Sequence, residues 1–274
     1  MGLVINTNLA SLVAQQNLQV SNNQLKTNVQ RLSSGFRVNS AADDAAGLAR
    51  ADQLKAQSVA VQAAIRNSND GISALEIMDK SAEKITELLV RMNDLAASAA
   101  QGTLDATTRG YYSDEYDALL EEIDRITAVT EFGNSKLIDG SSPTIDLQIG
   151  FRGTVDDRLT VTTADLTSGT IGVFAGDINS QAGAQLTLGT IETALVSVNN
   201  ARASFGADTN RLSTTISNLQ VTFTNFQAAE SRIRDADFAM ETASFTRNQI
   251  LVQSGVSVLA QANTLPQSAL TLLR

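Results

Sequence analysis

The sequence predicts a mainly α protein, with long antiparallel coiled-coil helices forming a rod and a small central β-hairpin region. Three observations lead there. Ile191, Leu195, Val198, Arg202, Phe205, Thr209, Leu212, Ile216, Leu219, Phe223, Phe226, Glu230 and Ile233 step 4-3-4-3 without a break, and all but Arg202, Thr209 and Glu230 are apolar. Such a stripe is a coiled-coil seam roughly 60 Å long. It is longer than a compact domain needs and asks for partner helices of similar length. Breakers and bulky rings are scarce: the 274 residues include 2 prolines, no Trp and 4% aromatics, which suits thin helical packing layers. The stretch from Asp139 to Asp177 differs, being rich in Gly, Thr and Val.

The elements follow in order. A first helix is expected from about Asn8 to Leu32, where Leu25, Val29 and Leu32 follow a 4-3 spacing and Ser33-Ser34-Gly35 ends it. A second starts after Ser40-Ala41-Ala42-Asp43-Asp44, whose Ser and Asp can cap exposed N–H groups, and runs to about Ala100. Its seam reads Ile85, Leu88, Met92, Leu95, Ala99, and Asn69-Asp70-Gly71 weakens it midway. A third covers about Thr107 to Thr130, with Tyr116, Leu119, Ile123 and Ile126 on one stripe. Thr144–Ile149 and Arg158–Thr162 alternate as strands around Gly150-Phe151-Arg152-Gly153, which reads as a hairpin. The long stripe follows, with Ile191, Leu195, Val198, Phe205, Leu212, Ile216, Leu219, Phe223 and Phe226 as its expected coiled-coil core. A last helix runs from about Asp237 to Gln261, and the end, Leu270 to Arg274, stays apolar.

Two absences narrow the function. With no Cys there is no disulfide, thiolate zinc site or cysteine nucleophile. With no His there is no Ser-His-Asp triad and no imidazole ligand or base. Most hydrolase, metalloenzyme and haem readings fail, and an enzyme would be left with Lys, Tyr or carboxylate chemistry; no catalytic, metal or cofactor site is expected, and the chain reads as a non-enzyme. Asp235 and Asp237, two apart, diverge on a helix and read as a helix start or salt-bridge partners, and Asp43 with Asp44 reads as a helix start. Glu121, Glu122 and Arg125 read as a solvated face. The central glycines are followed by no Gly-Lys-Ser/Thr and form no phosphate loop.

The net charge of −9 argues against a nucleic-acid partner. Its distribution says more. No acid precedes Asp43 and none follows Glu241, while Lys26, Arg31, Arg37, Arg247 and Arg274 lie in those ends. Both ends are thus apolar plus Asn, Gln, Ser and Thr, a composition suited to burial against each other or against other copies. The start lacks a basic n-region and an apolar h-region, and no run approaches a membrane span, so no membrane insertion is expected.

Several segments carry more than periodicity: Ile5-Asn6-Thr7-Asn8, the run Arg31-Leu32-Ser33-Ser34-Gly35-Phe36-Arg37-Val38-Asn39-Ser40 continuing to Leu48, and Asn69-Asp70-Gly71-Ile72-Ser73. Near the end lie Ser231-Arg232-Ile233-Arg234-Asp235-Ala236-Asp237-Phe238-Ala239, Gln249-Ile250-Leu251 and Ala260-Gln261-Ala262-Asn263. In order and spacing they resemble bacterial flagellin over about 1–140 and 185–274. The resemblance implies a structural subunit that self-polymerises into the extracellular flagellar filament after unfolded export through the flagellar type III apparatus. It implies an inner-core helix and connector at 1–42, outer-core helices at 43–139, a β-hairpin and short surface region at 140–180, a long outer-core helix at 181–234 and a second inner-core helix at 235–274. Leu9, Leu12, Leu25, Val29, Leu32, Phe245, Leu251 and Leu259 are then expected to serve inner-core polymerisation. Implied partners are other copies in a helical homopolymer, an export chaperone on the C-terminal segment, and the filament cap and hook-associated proteins. Arg91, Leu95 and Glu115 match positions through which the animal Toll-like receptor for flagellin senses the family. The bland reading keeps Leu95 in the core and Arg91 with Glu115 as a surface pair, and Val90 and Asn93 depart from the recognised pattern. The alternative within the superfamily is the hook–filament junction protein.

Overall fold

The computed structural model describes residues 7–176 and 178–272, of which 265–272 by backbone alone. Ile5, Asn6, Asp177, Leu273 and Arg274, which entered the sequence reading, lie outside the described residues. Six helices and two small hairpins follow in order: α1 (Leu9–Ser34), α2 (Ala45–Ala99), α3 (Ala106–Val129), β1 (Glu131–Phe132), β2 (Ser135–Lys136), β3 (Thr144–Gln148), β4 (Arg158–Thr162), α4 (Ser168–Ile171), α5 (Gln181–Arg234) and α6 (Phe238–Leu272). The chain sorts into two compact units, one made of the segment up to Gln57 with the segment from Asn225, the other of Ser58–Thr224.

The Ser58–Thr224 unit holds the apolar core. Leu75, Met78, Ala82, Ile85, Leu89 and Met92 of α2 pack with Tyr116 and Ile123 of α3 and with Ile191, Val198, Phe205 and Leu212 of α5. The expected seams are displaced by one position in places. In α2 the buried leucine is Leu89, not Leu88, and in α3 Leu120 and Thr127 are buried where Leu119 and Ile126 were expected. In α5 the buried stripe runs Ala184, Thr187, Ile191, Ala194, Val198, Phe205, Asp208, Leu212, Leu219. Leu195, Ile216, Phe223 and Phe226, expected as coiled-coil core, are half-buried. In α5 the small Ala194 is buried while the larger Leu195, one residue on, is half-buried beside it. Arg202, the charged member of the expected stripe, reaches Asp79 of α2 at 2.8 Å.

α2 runs unbroken through Asn69-Asp70-Gly71, where the sequence suggested weakness. A glycine inside a helix costs about 1 kcal/mol against alanine. Gly71 is buried, and its place is explained by what lies over it. A Cβ there would run into a methyl of Leu147 on β3 and stand 3.2 Å from Leu212 of α5. The missing side chain lets the hairpin sit on the helix.

β3 and β4 pair antiparallel with Ile145 opposite Val161 and Leu147 opposite Leu159, as the alternation predicted. Leu159 and Val161 are buried, which fixes the hairpin's inner face. The β1–β2 hairpin was not foreseen. It turns at Gly133, with φ 64°, and Asn134. α4 is held by α3: Asp124 accepts from the Ser168 N–H at 2.9 Å and its hydroxyl at 2.8 Å. On α3 the exposed Arg125 pairs with Glu122 at 2.6 Å, the surface pairing the sequence suggested.

Candidate functional site

The unit formed by the two chain ends begins at a joint. α1 stops at Gly35, which takes the left-handed conformation (φ 75°) and donates its N–H to the Arg31 carbonyl. The next residues bind the α5–α6 junction. The Arg234 carbonyl accepts the N–H of Arg37 at 2.7 Å and of Val38 at 3.4 Å, and Ala236 N–H donates to the Gly35 carbonyl at 2.9 Å. The Arg37 guanidinium donates to the Ile233 carbonyl at 2.6 Å. The Arg234 guanidinium lies over the Phe36 ring, 4.4 Å from its centre, and 3.8 Å from Asp52.

Of the carboxylates near this joint Asp44 and Asp237 start helices, as the sequence suggested, whereas Asp43 closes a turn onto Asn39 and Ser40. Asp43 accepts the N–H groups of Ser40 and Asn39, donors that hold its carboxyl below the ordinary aspartate value. Asp44 caps α2 by accepting from Gly47 N–H at 2.8 Å. Asp237 opens α6 by accepting from the N–H groups of Ala239 and Met240.

Beyond the joint, α1 and α6 pack together. They run antiparallel: Asn8 donates to the Ala262 carbonyl at 2.8 Å near one end, and Asn248 donates to the Asn28 side chain at 2.7 Å near the other. The less exposed positions of α1 include Ser11, Ala14, Leu18, Ser21, Leu25, Asn28 and Leu32, a row spaced 3-4. On α6 they include Glu241, Phe245, Asn248, Val252, Gly255, Leu259 and Ala262. The fully buried members are small or polar: Ser11, Ala14, Asn28, Asn248 and Ala262. Other large apolar side chains point away from the seam. Leu9 is 65% exposed, Leu12 54% and Val29 49%; Met240, Ile250, Leu251, Val256 and Val258 are also exposed.

The eight residues assigned to polymerisation therefore divide. Leu25, Leu32, Phe245 and Leu259 are half-buried on the seam between α1 and α6, while Leu9, Leu12, Val29 and Leu251 face outward. Sequence reasoning missed Asn28 and Asn248, because a search for apolar periodicity skips an amide at a seam position. In the Ser58–Thr224 unit, Arg91 pairs with Glu115 at 2.7 Å and both are exposed. Leu95 is 2% exposed and belongs to the core, so of these three residues only Arg91 and Glu115 have exposed side chains. Among the described residues, no group of three or more His, Cys, Asp and Glu side chains could hold a metal ion. No helix in them is long and apolar enough to cross a membrane.

Comparison with known families places this arrangement. Residues 5–143 match the bacterial flagellin N-terminal helical region and residues 188–273 the bacterial flagellin C-terminal helical region. The chain belongs to the bacterial flagellin family. The flagellin of Halalkalibacterium halodurans is 39% identical over 99% of this chain and 100% of its own length. Flagellin FlaB2 of Treponema pallidum is 35% identical over the same shares. Flagellin A of Vibrio cholerae is 32% identical with 100% of both chains covered, but the alignment spans 379 positions, so that flagellin carries residues this one lacks. Among solved structures, Bacillus cereus flagellin is 31% identical and superposes with a TM-score of 0.51 over 56% of this chain and 88% of its own. A putative flagellar hook-associated protein of Vibrio parahaemolyticus, 14% identical with a TM-score of 0.60 over 70% of this chain and 100% of its own, shares the fold. The segment between the two matched flagellin regions holds the β3–β4 hairpin, α4 and the first residues of α5.

Proposed function

We propose that α1 and α6 form the inner core through which copies of this chain polymerise, and that the outward residues Leu9, Leu12, Val29 and Leu251 make contacts between copies. The chain is a structural subunit of the bacterial flagellar filament, an extracellular polymer. One observation carries the assignment of the surface. The two charge-poor ends bury mainly small and polar residues where they pair, half-bury one apolar row between them, and leave a second set of large apolar residues uncovered. Exposed apolar side chains spread along two adjacent helices mark an interaction surface. On this reading 1–42 and 235–274 build the inner core, 43–139 and 181–234 the outer core, and 140–180 a short outer surface. Purified subunits added to short filament seeds are expected to lengthen them under the electron microscope. Seeds that stay short at any subunit concentration would reject the assignment. The junction-protein reading is weaker, since the hook-associated neighbour shares only the fold whereas flagellins match along the whole chain.

Export and escort follow from the same surface. A subunit passed unfolded through the flagellar type III apparatus must keep its ends from associating early. The chaperone is assigned to 235–274, where Phe245, Ile250, Leu251, Val256 and Leu259 provide spaced apolar anchors for a helix-in-groove contact. The filament cap and hook-associated proteins would meet the same ends at the limits of the polymer. Calorimetry with a chain stopped at Ser231 is expected to show loss of chaperone binding. Undiminished affinity would put the chaperone elsewhere.

A further inference from the structure

We propose that Asn28 and Asn248 fix the register of α1 against α6, and so determine which apolar surface the pair presents to neighbouring subunits. The inference rests on the reading of α1 and α6 as a pair within the filament.

The apolar seam alone leaves register open. Leu18, Leu25 and Leu32 recur every seven residues on α1, and Phe245, Val252 and Leu259 do so on α6. Sliding one helix by a heptad, roughly 10 Å along the axis, would still set leucines against apolar partners. Asn8 does not decide the matter either. It donates to the main-chain carbonyl of Ala262, and a carbonyl recurs at every residue.

Asn28 is different. It is 7% exposed and Asn248 is 9% exposed, and both of its amide atoms are engaged. Its Oδ1 accepts from Asn248 Nδ2 at 2.7 Å, and its Nδ2 donates to Glu241 Oε1. Arg31, one turn on, stands 4.0 Å from the other Glu241 oxygen. A heptad slip in either direction would part Asn28 from Asn248 and leave two buried amides short of partners. A buried donor or acceptor left unmade is penalised far more than a made bond is rewarded. One buried asparagine pair is therefore enough to select among registers that the apolar residues treat alike. The outward consequence is functional. A slip would shift Leu9, Leu12 and Val29 along the axis relative to Ile250, Leu251 and Val256, and a neighbour would meet a different surface.

The chain has no cysteine of its own, so a disulfide can report the register. Leu18 Cβ lies 3.8 Å from the point where a Cβ at Gly255 would stand, the usual Cβ separation across a disulfide. Leu18→Cys with Gly255→Cys reports the observed register; Leu18→Cys with Ala262→Cys reports a register one heptad away. Each reporter is assembled as a minority among unmodified subunits on seeds, oxidised, and scored on a non-reducing gel. With both asparagines intact, the first reporter is expected to close and the second to stay open. With Asn28→Leu and Asn248→Leu, closure of the first is expected to fall several-fold while the second begins to close. Equal closure of the first reporter with and without the asparagines would overturn the proposal. Failure of the first reporter to close with the asparagines intact would instead overturn the α1–α6 pairing on which it rests. If the leucine variant does not enter mixed filaments, Asn28→Ala with Asn248→Ala takes its place, with the same fall expected and the same result decisive against it.

Discussion

Removing about 30 residues from either end is expected to abolish growth on filament seeds while leaving the helices of the Ser58–Thr224 unit formed, since helices of that length hold only where their faces are packed. At the N-terminus the cut takes most of α1, which spans Leu9–Ser34, and leaves the seam of α6 without a partner. At the C-terminus it takes most of α6 and strands Leu18, Leu25 and Leu32 in the same way. Either cut also removes part of the uncovered apolar surface assigned to neighbours. The core of the other unit draws on neither helix. Circular dichroism of the truncated chains should keep a cooperative melt while electron microscopy finds no elongation. A truncated chain that still built normal filaments would mean that the polymer core lies elsewhere.

Leu212→Asp is expected to cost the folded subunit roughly 4 kcal/mol, at the upper end of single substitutions. Leu212 is fully buried in α5, near Gly71 of α2 and Leu147 of β3. A carboxylate there meets no donor, so it must either lose its charge or force the contact open. For a unit of this size the melting temperature should fall by roughly 10 °C. Ser213→Asp, one residue on and exposed, should stay within about 0.5 kcal/mol of the parent chain. A melting temperature unchanged by Leu212→Asp would show that the long stripe is not a buried seam.

Much of this architecture is legible in the residues, for reasons that differ by element. The β3–β4 hairpin is readable because alternation over five residues on each side leaves one register that buries Leu159 and Val161. α5 is readable because Ile191, Val198, Phe205, Leu212 and Leu219 repeat every seven residues and are all buried. The intervening positions are less so. A hydropathy pattern prefers Leu195 to Ala194 and cannot choose between Leu88 and Leu89, whereas the helix turn puts Ala194 and Leu89 on the buried side. β1–β2 could have been found from the Gly133-Asn134 pair, a two-residue turn signal, had the strands been longer than two residues each. The α1–α6 seam is the least legible. Its buried members are Ser11, Ala14, Asn28, Asn248 and Ala262, so the apolar pattern of each helix points mainly toward what lies outside it.

The joint between Gly35–Val38 and Ile233–Ala236 has a mechanical bearing. Where the helices change direction the chain is held by three main-chain hydrogen bonds, from Arg37, Val38 and Ala236, beside the side-chain contacts of Arg37 and Arg234. Main-chain amides and carbonyls do not titrate, and salt weakens bonds between neutral groups far less than it weakens exposed ion pairs. They also persist through most side-chain replacements, so the linkage is insulated from drift in the sequence around it. The stiffness of the turn should accordingly hold across changes in acidity and salinity of the surrounding medium that would loosen a joint made of charged side chains.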